Sequence, residues 1–145
     1  MTFKKPVYLD HQATTPIDPL VLEVLERTQR DFFGNPSSTS HSFGWSAQAI
    51  VKKARDQVAG LINADPREIF FTSGATEANN IALLGTARAS SVHRKIVSTQ
   101  LEHSSVKKTL DHLAKEEWNI VRVMTPKSGV INWENIAETL DDETL

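Results

Sequence analysis

A chain of 145 residues with 39% hydrophobic and 23% charged side chains has the makeup of one ordinary globular domain, which excludes a disordered segment or a membrane protein. Its net charge of −2 supplies no basic field for gripping nucleic acid, and no apolar run nears the ~20 residues of a membrane-spanning helix. With no cysteine, the chain has no disulfide, no thiolate metal ligand and no cysteine nucleophile of its own.

The first six residues, Met1 to Pro6, have no apolar stretch behind their lysines and do not read as a secretory leader, so a cytoplasmic location is expected. Val7-Tyr8-Leu9 is a short apolar run closed by Asp10 and a polar turn through Pro16. Asp18-Pro19 is an N-cap followed by proline at the first helical position. Leu20, Val21, Val24, Leu25 and Thr28 share one face of a helix predicted to about Phe32. Gly34-Asn35-Pro36-Ser37-Ser38 stops that helix. A second helix is predicted from about Ser42, with Trp45, Ala49, Ile50, Ala54, Val58, Leu61 and Ile62 inward, ending at Asn63-Ala64-Asp65-Pro66. Strand and helix then alternate. Strands are predicted at 69–71, 95–98 and 119–123, and helices at about 75–88, 104–117 and, capped by Asn132, to about Leu140.

Such alternation predicts an α/β domain with a largely parallel sheet. Three strands make a thin sheet with open edges, and Asp141 to Leu145 stands where a turn should deliver a further strand that the sequence does not show. The architecture reads as an incomplete three-layer sandwich.

In parallel α/β sheets, ligands sit beyond the carboxyl ends of the strands, where helices begin. Two loops there are chemically distinctive. In Phe71-Thr72-Ser73-Gly74-Ala75-Thr76-Glu77, Gly74 permits a tight turn, after which the amides of Ala75 and Thr76 are unpaired donors at a helix start. With the Ser73 and Thr76 hydroxyls they could form a phosphate cup; the same residues also suit an ordinary capping box with Glu77 in the first turn. Thr99 to Ser105 places His103 at a strand end, either to lie against a planar ligand and move a proton or simply to cap the next helix. No histidine pair has metal-ligand spacing beside a carboxylate, so no metal site is expected. Ser37 to Ser42 is dense in hydroxyls, suiting either a site or a mobile surface loop, and Trp45, Trp118 and Trp133 read as packing residues.

Four segments taken in order resemble one family. They are Tyr8-Leu9-Asp10-His11-Gln12-Ala13-Thr14-Thr15-Pro16; Gly34-Asn35-Pro36-Ser37-Ser38 with His41 and Gly44; Ala64-Asp65-Pro66-Arg67-Glu68-Ile69 running into Phe71 to Glu77; and Glu102-His103. Together they are similar to the class V aminotransferase fold and, within it, to the cysteine desulfurases that supply sulfur for iron–sulfur clusters and tRNA thiolation. The resemblance implies pyridoxal 5'-phosphate (PLP) as cofactor and the N-terminal portion of the large domain of fold type I PLP enzymes. Ala75 and Thr76 would bind the PLP phosphate. His103 would stack on the pyridine ring and take part in proton transfer. Residues 1–15 would join a small domain, and 16–145 would be a truncated part of the PLP-binding large domain.

In relatives of this kind L-cysteine becomes L-alanine while a cysteine thiolate takes the sulfur as a persulfide. The implied partners are L-cysteine, a second copy in a homodimer, and sulfur-acceptor or scaffold proteins, with no direct nucleic acid and no membrane. The cofactor-binding lysine and the persulfide cysteine of the family have no matching position here, and Lys107 and Lys108 do not match that lysine. The expectation is thus an N-terminal fragment, inactive alone and binding PLP weakly or not at all. Two other readings stand beside it: another class V enzyme, such as a selenocysteine lyase or an aminotransferase, and a non-catalytic interaction module.

Overall fold

Asp18 opens the first helix as predicted. Its carboxylate accepts the Leu20 amide at 2.8 Å, and α1 runs Pro19–Asp31 in the computed structural model, which describes residues 6–145. The expectation that the first residues are not a leader therefore lies outside the described residues. The chain divides into two compact units, the first ending at Phe70 and the second spanning Phe71–Leu145.

In the first unit, α2 (Ser42–Ile62) starts on an unusual cap, the His41 ring, whose Nδ1 accepts the Gly44 amide at 3.2 Å. The loop before it is knitted together. Asn35 Oδ1 accepts the Ser37 amide, the Asn35 carbonyl accepts the Ser38 amide, and Trp45 Nε1 donates to the Thr39 carbonyl at 2.7 Å. A Cβ on Gly44 would lie 1.9 Å from the Ser38 carbonyl oxygen, and one on Gly34 would lie 2.3 Å from that of Phe43. The two glycines thus allow backbone approaches that no side chain fits. α2 ends at Asn63, which adopts φ 55° and ψ 43°, a left-handed cap that asparagine tolerates. A single 3-10 turn, Pro66–Glu68, follows on a reciprocal capping box between Asp65 and Glu68.

The inward face predicted for α2 is corrected. Gly44, Ala47 and Ala59 are the buried residues and Ile50 and Ala54 are half-buried as expected, while Trp45, Ala49, Val58, Leu61 and Ile62 stay exposed. The strand predicted at 69–71 is also absent: Ile69 is buried and its carbonyl accepts from the Arg55 guanidinium, but Phe70 is 74% exposed. A strand is defined by a ladder to a neighbour, and 69–71 is not assigned to one.

In the second unit, α3 (Ala75–Ala89) and α4 (Ser104–Lys115) pack on a two-stranded parallel sheet, β1 (Lys95–Thr99) and β2 (Asn119–Val123), in the register Lys95 opposite Asn119 through Thr99 opposite Val123. α4 is the crossover that a parallel pair requires. Ala87, Leu110, Leu113 and Trp118 form the buried core, flanked by Leu83, Leu84, Ile96, Val106 and Ile120. Full burial of Leu110 and Leu113 stabilises the unit by about 1.5–3 kcal/mol each. Trp118 packs as predicted, at 4% exposure, whereas Trp45 and Trp133 are exposed. The last helix, α5 (Trp133–Ala137), is capped by Asn132 as predicted and ends earlier than Leu140.

As expected, no further strand forms after Asp141 among the described residues, but the segment makes one isolated bridge. Thr144 bridges Lys95 in parallel, with the Lys95 amide donating to the Glu143 carbonyl and the Leu145 amide to the Lys95 carbonyl. β1 therefore has β2 along one edge and a single bridge, at Lys95, on the other. The Lys95 ammonium, from a residue only 8% exposed, reaches the Thr139 carbonyl at 2.5 Å and the Asp141 carboxylate at 2.6 Å, which ties down the segment that delivers this pairing. Among the described residues no helix is long and apolar enough to cross a membrane.

Candidate functional site

The loop into α3 is shaped by one conformation. Gly74 sits at φ 158° and ψ −178°, a region open essentially to glycine alone, and as N-cap it provides no side-chain hydrogen bond. Ala75 and Thr76 are the first two residues of α3, and the first intrahelical bond is made by Ala78 to the Gly74 carbonyl. The amides of Ala75 and Thr76 are consequently left open at the positive end of the helix. An ideal Cβ built on Gly74 meets nothing within 4 Å, and Gly74, Ala75 and Thr76 are all exposed.

Half of the capping reading is present too, displaced by one residue. Glu77 Oε2 accepts from the Ser73 amide at 2.6 Å and from the Ser73 hydroxyl at 2.8 Å. These two donors, the amide first, hold the Glu77 carboxyl below its ordinary value. Ser73, predicted as a further donor to an anion, is thus engaged by Glu77, while the Thr76 hydroxyl is not so engaged. Thr76 lines a cleft of about 330 Å³ between α3 and α4, together with Asn80, Ser105, Lys108 and His112. Lys108 adds a cationic side chain to that cleft.

His103 is the N-cap of α4. Its Nδ1 accepts the Ser105 amide at 3.2 Å and lies 2.9 Å from Ser105 Oγ, while the residue itself remains exposed. The capping role considered from sequence is real, and it occupies one ring nitrogen only. The two loops are joined through helix α3: Asn79 Nδ2 donates to Ser105 Oγ at 2.9 Å, and Asn80 bridges the Thr76 carbonyl and the Thr109 hydroxyl. Ala75, Thr76 and His103 are therefore all carried by one packed helix pair. Segments 8–16 and 35–44 belong to the first unit.

Sequence reasoning missed Asn79, Asn80, Ser105 and Thr109. A signal existed: Thr76, Asn79 and Asn80 share a face of one helix, and Ser105 and Thr109 are four apart on the next. A polar stripe on two packed helices asks for a mutual partner.

The chain is 45% identical over 97% of its length to "Cysteine desulfurase, mitochondrial" of Drosophila melanogaster, covering 30% of that protein. It is 42% identical over its whole length to "Cysteine desulfurase IscS" of Neisseria gonorrhoeae, covering 36% of that protein. Among solved structures a "NifS-like protein" superposes with a TM-score of 0.84 at 36% identity, covering 95% of this chain and 38% of that one. The chain thus spans about a third of the length of the curated relatives it matches. Its α/β architecture with parallel strands is that of the fold type I PLP-dependent cysteine desulfurases. Residues 7–145 match the family described as aminotransferase class-V, and the chain belongs to that family.

Proposed function

We propose that this chain provides the phosphate-binding and ring-facing part of a PLP-dependent cysteine desulfurase site, which converts L-cysteine to L-alanine and passes the sulfur on for iron–sulfur cluster assembly or tRNA thiolation. The observation that carries this is the open N-terminus of α3, where Gly74 gives no side-chain cap and Ala75 and Thr76 are exposed. The donor set fits a phosphate dianion: two backbone N–H groups, the Thr76 hydroxyl and a helix dipole. When bound, the cofactor supplies an electron sink for bonds at the substrate's α-carbon. Ala75 and Thr76 would hold its phosphate, and His103 would cover its ring and hold a proton at Nε2. The chain has no cysteine, so the sulfur-accepting thiol is not one of its own side chains.

In this reading the segment up to Thr15 belongs with a small domain and the remainder with the cofactor-binding domain. The assembly is a homodimer that meets a sulfur-acceptor protein. Exposed apolar side chains such as Leu20, Phe33, Leu61, Ile62 and Phe70 suit association of this kind.

The test is a titration of the chain with PLP, inorganic phosphate and pyridoxal, followed by amide NMR. PLP and phosphate should shift the Ala75 and Thr76 amides, and pyridoxal should not. Thr76→Val should weaken the phosphate-dependent response roughly 10- to 100-fold, in line with the loss of one hydrogen bond to a charged group worth ~1.5–3 kcal/mol. Equal responses to PLP and pyridoxal, or shifts confined to other residues, would overturn the phosphate assignment.

A further inference from the structure

Ser105 is the second residue of α4 and is 6% exposed. Its amide approaches His103 Nδ1 at 3.2 Å, and its hydroxyl oxygen lies 2.9 Å from the same nitrogen. A backbone N–H only donates, so Nδ1 must accept, and a neutral ring then carries its proton on Nε2. From α3, Asn79 Nδ2 donates to Ser105 Oγ at 2.9 Å. That bond occupies a lone pair of the hydroxyl and leaves the hydroxyl hydrogen for Nδ1. The donors run one way, from Asn79 to Ser105 to His103. The backbone of Ser105 is held as well, because the Thr109 hydroxyl lies 2.7 Å from the Ser105 carbonyl and 2.8 Å from Asn80 Oδ1, and Asn80 is itself bonded to the Thr76 carbonyl.

We propose that Asn79 and Ser105 are positioning residues that lock His103 in its Nε2–H tautomer and fix the ring plane at the start of α4. With the proton on Nδ1 instead, the ring N–H would face the Ser105 amide, donor against donor, and the buried hydroxyl would have to turn. The relay commits Nδ1 to the protein, so the Nε2–H on the opposite edge of the ring is the hydrogen that His103 offers to a ligand. It also joins the helix that carries the open amides to the helix that carries the ring. The functional meaning rests on the proposed cofactor site, whereas the tautomer is measured without cofactor, so either can fail while the other stands.

The experiment labels the histidines with nitrogen-15 and reads two-bond correlations between ring nitrogens and ring hydrogens at about pH 9, where an ordinary imidazole is neutral. His103 should show a pyridine-like Nδ1 and a pyrrole-like Nε2. Asn79→Asp keeps the side-chain shape but replaces the donor by an acceptor, so the Ser105 hydroxyl turns toward the new carboxylate and offers Nδ1 a lone pair. The ratio of Nε2–H to Nδ1–H forms should fall about fivefold or more, as it should in Ser105→Ala. Fivefold corresponds to ~1 kcal/mol, the net contribution of one ordinary hydrogen bond. Ser105→Thr keeps the hydroxyl and should restore the original ratio. His41 caps α2 through Nδ1 with a backbone donor, and its signals should stay unchanged in every variant. An Nδ1–H tautomer at His103 in the unsubstituted chain overturns the proposal without any variant. So does a His103 ratio that Asn79→Asp and Ser105→Ala both leave unmoved while His41 is also unmoved.

Discussion

Replacing Gly44 by alanine should destabilise the protein, although alanine is the better helix former. The new Cβ would stand 1.9 Å from the Ser38 carbonyl oxygen and 2.8 Å from both the Ser38 carbonyl carbon and its Cβ. The nearest obstacle is backbone, held by the Asn35 turn, so relief means moving the loop or the first turn of α2 by roughly 1 Å. Overpacking of this kind costs ~1–3 kcal/mol. Moving the turn also strains the Gly44 N–H bond to His41 Nδ1, a cap worth ~1 kcal/mol. The gain in helix propensity returns at most ~1 kcal/mol. The net loss is then about 1–3 kcal/mol. Gly60 provides the control within the same helix, because a Cβ there meets nothing within 4 Å, so Gly60→Ala should gain up to ~1 kcal/mol. The two variants should differ by about 1–4 kcal/mol, or roughly 4–16 °C in melting temperature for a chain of this size. Thermal melts followed by circular dichroism measure that gap. Equal melting temperatures for the two variants would refute the claim that the Gly34-to-Gly44 loop needs glycine for close backbone approach.

Glu77 is held below its ordinary value, so its contribution to stability is present above the unfolded value near 4.5 and is lost as pH falls through the lower folded value. Glu77→Gln should therefore flatten the acid limb of a stability-versus-pH curve below about pH 4.5 and leave its slope near neutrality unchanged, as urea midpoints across pH would show. Asp141→Asn should loosen the pairing of 143–145 with β1, because the Lys95 ammonium loses its charged partner while the Thr139 carbonyl remains. The Lys95 and Leu145 amides should then exchange with deuterium faster than those within β2. Incubated alone with L-cysteine and PLP, the chain should carry no protein persulfide by intact mass, since none of its residues is a cysteine.

Local chemistry made much of this protein legible in its sequence. Asp18-Pro19 announced α1, Asn132 announced α5, and the apolar run at 119–123 matched β2, because caps and short periodic runs act over a few residues. The glycine before Ala75-Thr76 likewise pointed to open amides, since only glycine reaches the conformation found there. What depended on distant partners could be settled only in three dimensions. Segment 69–71 has the makeup of a strand but lacks a ladder, because strand formation is decided by a neighbour and not by the segment. Trp45, Val58, Leu61 and Ile62 on the apolar stripe of α2 stay exposed for the same reason, as burial requires a second surface. Lys95, a charged residue at a strand start, became a buried anchor only because Thr139 and Asp141, more than forty residues on, return to its ammonium. The link from Asn79 through Ser105 to His103 also spans two helices. Helical spacing marks each polar stripe, but the hydrogen bond between them exists only once α3 and α4 pack side by side.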